Sequence, residues 1–320
     1  MSYAPPVPPI EMGSFWLPRR TSTIAAEIDT GWDAAMLVSI ALFILVMAAM
    51  TYLIIRYRRR TDNDKTSGID HSLPLEVTWS VIPLIIVLAL FGVGLKGYVH
   101  TAVAPAESYE INVTSEMYLW TFTYPNGTVS VNELAVPKGR PVKLIMSSKD
   151  IVHSFYVPEF RVKQDVVPNA YTTIWFEANE AKETVLECTE YCGVGHSEML
   201  AKVTILEQPK FDEWLEKGGG GSDLPPAELG QKLYATRSCA NCHSLDGTRI
   251  QGPSFKGAFG RTETLSDGSQ VKVDENYIRE SILNPQAKIV QGYPPTMPTF
   301  QGLLKDREID AIIAFLKTQN

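Results

Sequence analysis

Thiols and imidazoles are scarce in this chain, with four cysteines and five histidines among 320 residues. The cysteines fall into two close pairs, Cys188 with Cys192 and Cys239 with Cys242, and none is left over. A basic excess is also missing. Lys plus Arg number 29 against 36 Asp plus Glu, for a formal charge of -7, which excludes the basic face that nucleic-acid recognition needs. Residues 1–31 carry Pro5, Pro6, Pro8, Pro9 and Pro18 but no apolar run long enough for a signal-peptide core, so an extended surface arm lying on a partner is expected there.

What is present is concentrated in Cys188-Thr-Glu-Tyr-Cys-Gly-Val-Gly-His-Ser-Glu-Met199. Two thiolates four residues apart, an imidazole four further on and a thioether three after that are soft ligands of the kind that select copper. Zinc fits less well, because Met199 is a poor fourth ligand for zinc but suits the weak axial position of an electron-transfer copper. A bare Cys pair on a loop would otherwise read as buried thiols or a disulfide. His196, Met199 and the upstream His153 weigh against that.

The second pair lies in Cys239-Ala-Asn-Cys242-His243, the spelling of a c-type haem attachment site with two thioether-forming thiols and an axial His. Residues 223–320 hold a single Met, Met297, which is therefore the candidate for the second axial position.

The set Cys188, Glu190, Cys192, His196 and Met199, with His153 upstream, resembles the binuclear copper A motif of cytochrome c oxidase subunit II. The resemblance covers about two-thirds of the chain. It implies that Cys188 and Cys192 bridge two coppers, that His153 and Met199 complete one, and that His196 and the backbone carbonyl of Glu190 complete the other. It also implies that the Glu190 side chain binds a magnesium ion at the border with subunit I.

Trp32 to Ile55 is almost uncharged and, at 1.5 Å per residue, makes a helix of roughly 35 Å, enough to span a bilayer. Arg56, Arg58, Arg59 and Arg60 follow at once, as a positive-inside stop signal would. A second span runs from about Val77 to Tyr98, and Trp32, Tyr57, Trp79 and Tyr98 mark the four ends. The intervening loop is the more basic, which puts it in the cytoplasm and both termini outside. Glu76 opens the second span. An acid there complements the helix dipole, whereas the resemblance of Leu75-Glu-Val-Thr-Trp-Ser-Val-Ile-Pro83 to the family segment implies a proton collector at the mouth of the path through subunit I.

Beyond Pro105 the period shortens, with apolar runs at Tyr109–Val113, Tyr118–Tyr124, Val142–Met146, Thr172–Phe176, Thr184–Glu187 and Leu200–Leu206 separated by turns such as Pro125-Asn-Gly127. This predicts an antiparallel β-sandwich, in the cupredoxin version that the metal ligands imply. The family's Trp-x-Trp strip, where electrons from cytochrome c come in, is here Tyr118-Leu-Trp120; ordinary strand packing is the alternative for both rings. The family's Pro-Gly turn is replaced by Pro168-Asn169, and Asn tolerates the left-handed conformation. The predicted sandwich is acidic, with 9 Lys plus Arg against 14 Asp plus Glu over 101–210, while residues 223–320 balance at 11 against 11.

Phe211 to Lys217 reads as a short closing helix, and Gly218-Gly-Gly-Gly-Ser222 as a linker, either a natural hinge or an engineered scar. About ten flexible residues span on the order of 17 Å. Helices are expected at Pro226–Arg237, Glu275–Leu283 and Lys305–Lys317, the last with Ile309, Ile312, Ile313 and Leu316 on one core face. That region resembles a class I cytochrome c, and the fusion resembles caa-type oxidases.

The expected fold class is thus a multi-domain membrane protein: tail 1–31, two transmembrane helices with a cytoplasmic loop at 32–100, cupredoxin 101–217, linker 218–226 and an all-α cytochrome c at 227–320. The expected function is subunit II of a respiratory oxidase, taking electrons from cytochrome c or a quinol-oxidising complex through haem c and copper A to subunit I, with subunit III as a further partner. Oxygen reduction coupled to proton pumping falls to subunit I, because this chain has no residues for an oxygen site. The expected location is a bacterial plasma membrane, contacting lipid, with the copper and haem domains outside. Two alternatives are a copper A subunit of a nitric oxide or nitrous oxide reductase and a copper-delivery protein. The Glu76 segment and the two spans favour the oxidase over the first, and the haem pair has no purpose in the second.

Overall fold

The computed structural model describes residues 8–61, 65, 67–219 and 224–319. Pro5 and Pro6 of the tail and Gly220, Gly221 and Ser222 of the linker lie outside the described residues. The chain divides into two units, Ile24–Val103 on the one hand and Met1–Thr23 with Ala104–Asn320 on the other.

The first unit is a pair of helices, α1 (Ala25–Tyr57) and α2 (Leu73–Ala102), of mean hydropathy 2.6 and 2.3 over their most apolar stretches. Side chains such as Phe43, Leu45, Leu84 and Phe91 are exposed along them. Such unburied apolar length belongs in a bilayer. Pro74 sits in the first turn of α2, where a missing N–H costs nothing. Helix α1 begins at Ala25 rather than Trp32, because hydropathy ignores the polar turns that extend past the apolar stretch. The Glu27 carboxylate in that extension meets His100 Nδ1 at 2.7 Å and Lys96 Nζ at 3.7 Å, joining the two helices at one end.

The second unit contains a sandwich of two five-stranded sheets. Its strands are β1 (Tyr109–Glu116), β2 (Leu119–Thr123), β3 (Val129–Val131), β4 (Glu133–Pro137), β5 (Pro141–Ser148), β6 (His153–Val157), β7 (Val162–Val166), β8 (Thr172–Glu177), β9 (Glu183–Cys188) and β10 (Leu200–Leu206). The sheet orders are β3-β2-β1-β5-β8 and β4-β10-β9-β6-β7. Alternate residues of β5 and β10 are buried, and Trp120, Phe122, Leu144, Phe155 and Phe176 fill the space between the sheets. The sandwich is not wholly antiparallel as expected, since β1 pairs with β5 and β10 with β4 in parallel. Strands β3, β4, β6 and β7 escape a periodicity reading because they are short or, in β6 and β7, bury His153 and Ser154 and carry Lys163, Gln164 and Asp165. Asn169 does take the left-handed backbone, with φ of 58°.

The described part of the tail lies on the chain's own sandwich. Met12 bridges Pro18, and Thr21 and Thr23 donate backbone hydrogen bonds to Glu159 and Glu177 on the chain's own sandwich. Beneath it the fully buried Glu159 carboxylate accepts from the Glu11 N–H and pairs with Lys182 at 3.0 Å.

A short helix α3 (Gln208–Glu216) follows β10, and the C-terminal part is built from α4 (Pro226–Thr236), α5 (Cys239–Cys242), a hairpin of β11 (Thr262–Thr264) and β12 (Gln270–Lys272), α6 (Glu275–Leu283) and α7 (Asp306–Leu316). The hairpin is an addition to the all-α expectation. Helices α4 and α7 cross at Gly230, where a Cβ would stand 2.0 Å from the Ala311 carbonyl oxygen. Only glycine allows that approach, and it lets Ile309, Ile312, Ile313 and Leu316 bury as a core face.

Candidate metal centre and haem site

Strands β6 and β9 run antiparallel with Phe155 opposite Cys188, so His153 at the start of β6 comes close to the end of β9. The loop after β9 turns back through Gly193, at φ of 121°, to a single 3-10 turn at His196–Glu198, and the Cys188 N–H closes it onto the Met199 carbonyl at 3.2 Å. The consequence is convergence. Cys188 Sγ lies 3.9 Å from His153 Nδ1, 3.3 Å from the Glu190 carbonyl oxygen and 3.9 Å from Cys192 Sγ. Cys192 Sγ in turn lies 3.5 Å from His196 Nδ1 and 3.7 Å from Met199 Sδ.

The electrostatics follow from this crowding. The hydrogen bond with Cys192 and the facing His153 hold the Cys188 thiol well below its usual range despite burial, while the same hydrogen bond with Cys188, then burial and the Cys188 charge, push Cys192 upward. Holding a soft cation between them would require both thiols to be deprotonated. Burial opposes charge on His153, but hydrogen bonds to Asp150 and Cys188 outweigh it and raise the ring to about 9. Burial likewise opposes charge on Asp150, yet hydrogen bonds from His153 and from the Met117 and Ile151 N–H groups bring it to about 2. Nε2 is committed to Asp150, so Nδ1, facing Cys188 Sγ, is the ring atom that could serve a metal. Asp150 was not singled out by sequence, though its place three residues before a ligand His is the signal that could have found it.

The second pair of thiols lines an apolar cavity of about 190 Å³ together with His243, Met297, Phe300 and Tyr118. His243 Nδ1 donates to the Pro253 carbonyl at 2.8 Å, which leaves Nε2 as the free ligand atom, and its ring stacks on Phe255 with centroids 4.4 Å apart. Burial lowers His243 and so keeps the imidazole neutral, as a metal ligand must be; burial also pushes Cys239 up to about 12. Gly252 is needed beside the ring, because a Cβ there would meet it at 2.5 Å. Neutral thiols, a pre-oriented His and a thioether in one apolar cavity fit a c-type haem.

Three family profiles match in chain order: cytochrome c oxidase subunit II, transmembrane domain, over residues 9–95; its periplasmic domain over 128–206; and cytochrome c over 227–320. The chain belongs to the cytochrome c oxidase subunit II family. Among relatives, cytochrome c oxidase subunit 2 of Alkalihalophilus pseudofirmus is 29% identical over 298 residues, spanning 88% of this chain and 84% of the relative. That of Bacillus subtilis is 25% identical, spanning 83% and 81%, and that of Thermostichus vulcanus is 28% identical, spanning 63% and 80%. Membership implies copper A in the sandwich and haem in the C-terminal domain.

The remaining expected residues are placed as follows. Trp120 is fully buried, donates Nε1–H to the Met199 carbonyl at 3.4 Å and stands edge-on to His153 with centroids 6.2 Å apart. Tyr118 covers Gly193 and Gly195 so closely that a Cβ on either would meet its hydroxyl at 2.5 Å or its ring at 2.7 Å. The Glu190 carboxylate belongs to an exposed residue. Glu76, in the helical unit, accepts the Ser72 N–H at 3.0 Å, the capping arrangement of an acid in a first helical turn. Sequence reasoning missed Asn132, Arg237 and Asn241, because their role lies in contacts between segments far apart in the chain.

Proposed function

We propose that this chain is the electron-accepting subunit of a membrane cytochrome c oxidase that carries its own cytochrome c. The observation supporting it is the meeting, in one unit, of a thiol, imidazole, thioether and carbonyl cluster with a Cys-x-x-Cys-His cavity hydrogen-bonded to the cluster's own loop, Asn241 Nδ2 donating to the Glu198 carbonyl at 3.2 Å. In this reading Cys188, Cys192, His153, His196, Met199 and the Glu190 carbonyl would together hold the copper A centre. Such a centre supplies one electron shared over two metals with little rearrangement on transfer. The protein's part is to fix ligands and exclude water: Asp150 orients His153, and the buried Trp120 closes the inner side.

Cys239 and Cys242 would attach one haem c, and His243 and Met297 would be the side chains that hold its iron. Tyr118, which lines the haem cavity and covers the copper loop at Gly193 and Gly195, and Trp120, bonded to the Met199 carbonyl, are the route for electrons in this reading. The Glu190 side chain is a hard oxygen donor suited to magnesium shared with subunit I, and Glu76 collects protons for subunit I from the cytoplasmic side. Subunits I and III, a cytochrome c or quinol-oxidising donor and lipid are the partners, with the metal domains outside a bacterial plasma membrane. Cys188→Ser in the assembled oxidase tests the reading. The Cys242-attached haem should still be reduced by the donor while oxygen consumption stops; undiminished oxygen consumption overturns the assignment.

A further inference from the structure

The haem-attachment turn makes contacts that haem binding does not require. Arg237 Nη1 donates to the Val131 carbonyl at 2.6 Å, and Ser238 Oγ accepts from Asn132 Nδ2 at 2.6 Å. With Asn241 on the Glu198 carbonyl, three residues in or next to the Cys239–His243 motif reach the sandwich. Arg237 is only 8% exposed, and its Nη2 is held at 3.1 Å by Glu308 of its own domain. Leu119 and Val131, both sandwich residues, are buried in the same apolar cluster as Leu229, Phe300 and Ile309. Asn132 extends the contact inward: it takes a left-handed backbone with φ of 54°, its Oδ1 accepts from the Trp120 N–H at 2.9 Å, and Trp120 bonds the Met199 carbonyl.

We propose that the haem-attachment turn is itself a docking surface, latching the haem domain onto the copper-loop end of the sandwich as a standing intramolecular complex, with the half-buried Tyr118 lining the haem cavity beside it. The inference rests on the electron-transfer reading above. The cross-domain partners are a carbonyl for Arg237, a hydroxyl for Asn132 and a carbonyl for Asn241, so none of these three bonds is an ion pair that salt would screen. Tyr118 lines the haem cavity while packing on Gly193 and Gly195 of the copper loop, so the latched haem domain is the way in for electrons from an external cytochrome. Arg237, Asn132 and Asn241 are positioning residues.

The test uses the assembled oxidase with both centres loaded, comparing wild type with Arg237→Gln/Asn241→Ala and, separately, Asn132→Gly, which keeps the left-handed backbone. Two readouts are taken: hydrogen exchange of residues 118–133, and the viscosity dependence of haem-to-copper transfer after photoreduction of the haem. Loss of two hydrogen bonds of ordinary net strength lowers the docked-to-undocked ratio by roughly thirtyfold. Exchange in 118–133 should accelerate, and transfer, insensitive to glycerol in wild type, should slow with viscosity in the variants while the haem and copper spectra stay unchanged. Equal exchange and equal viscosity dependence in wild type and variants overturn the latch alone. A wild-type haem that is reduced but never passes its electron to copper overturns the electron-transfer reading, and the latch with it.

Discussion

Asp150 Oδ1 accepts a 2.8 Å hydrogen bond from His153 Nε2, and this turns the opposite ring nitrogen toward Cys188. A carboxylate behind a ligand histidine fixes its tautomer and raises its basicity, and losing it typically costs roughly 10–100-fold in metal affinity. Asp150→Asn should therefore weaken copper retention by about that factor against a competing chelator, while leaving the fold intact. Unchanged retention would show that the sandwich alone orients His153.

Met297 lies in the haem cavity, and residues 223–320 contain no other thioether. Met297→Ala should abolish the thioether-to-iron absorption band and lower the haem potential, with the haem still covalently attached. Persistence of the band assigns Met297 to core packing instead.

Glu190 offers a backbone carbonyl toward Cys188 at 3.3 Å while its side chain is exposed. Glu190→Gln should spare the copper signal, since the carbonyl remains, yet reduce magnesium or manganese occupancy in the assembled oxidase. Equal occupancy in variant and wild type removes the side chain from the magnesium site.

The buried Glu159 and Lys182 pair pins the tail to the sandwich. Breaking a buried pair from one side strands a charge and costs about 3 kcal/mol or more, so Lys182→Met should lower the unfolding temperature and expose residues 11–23 to hydrogen exchange. Burial disfavours the Lys182 charge, but hydrogen bonds to Glu159 and Glu11 outweigh it and raise the group above 10.5. A raised lysine contributes stability that is full below the unfolded value and lost as pH rises through the folded one. The clasp should accordingly loosen on the alkaline side in wild type and lack that transition in Lys182→Met.

What could be read from the sequence was whatever local spacing encodes. The ligands between Cys188 and Met199 sit on one loop, so their order already carries the chemistry, and the Cys239–His243 spelling does the same. Leu200–Leu206 and Glu275–Leu283 match their elements because alternation and helical spacing are strong there. Residues whose function lies in long-range pairing were hidden. Asn132 has no motif, and its left-handed backbone and its bond to Ser238, 106 residues away, exist only once the sandwich and the haem domain have folded. The contact of the tail with the sandwich was hidden for a similar reason: prolines signal extension, but the buried Glu159 that holds it is more than a hundred residues further on.

The last prediction concerns salt. The sandwich is acidic and residues 223–320 are formally neutral, so an external basic cytochrome would find the sandwich by steering, which fades as the screening length shortens to about 10 Å at 0.1 M. A tethered domain needs no steering, because a short linker alone supplies an effective concentration in the millimolar range, and the bonds of Arg237, Asn132 and Asn241 to neutral partners add a contact that salt does not screen. Haem-to-copper transfer should then vary little with ionic strength, whereas reduction of the haem by an external donor should depend on it through the donor's own charge. Truncation after Lys217 separates this from a haem domain that only docks partners. Without the domain, Tyr118 is uncovered and oxidation of external cytochrome c should fall and become strongly salt-dependent; an undiminished rate in the truncated, assembled enzyme means that the acidic sandwich takes electrons directly and the fused haem is not the obligatory way in.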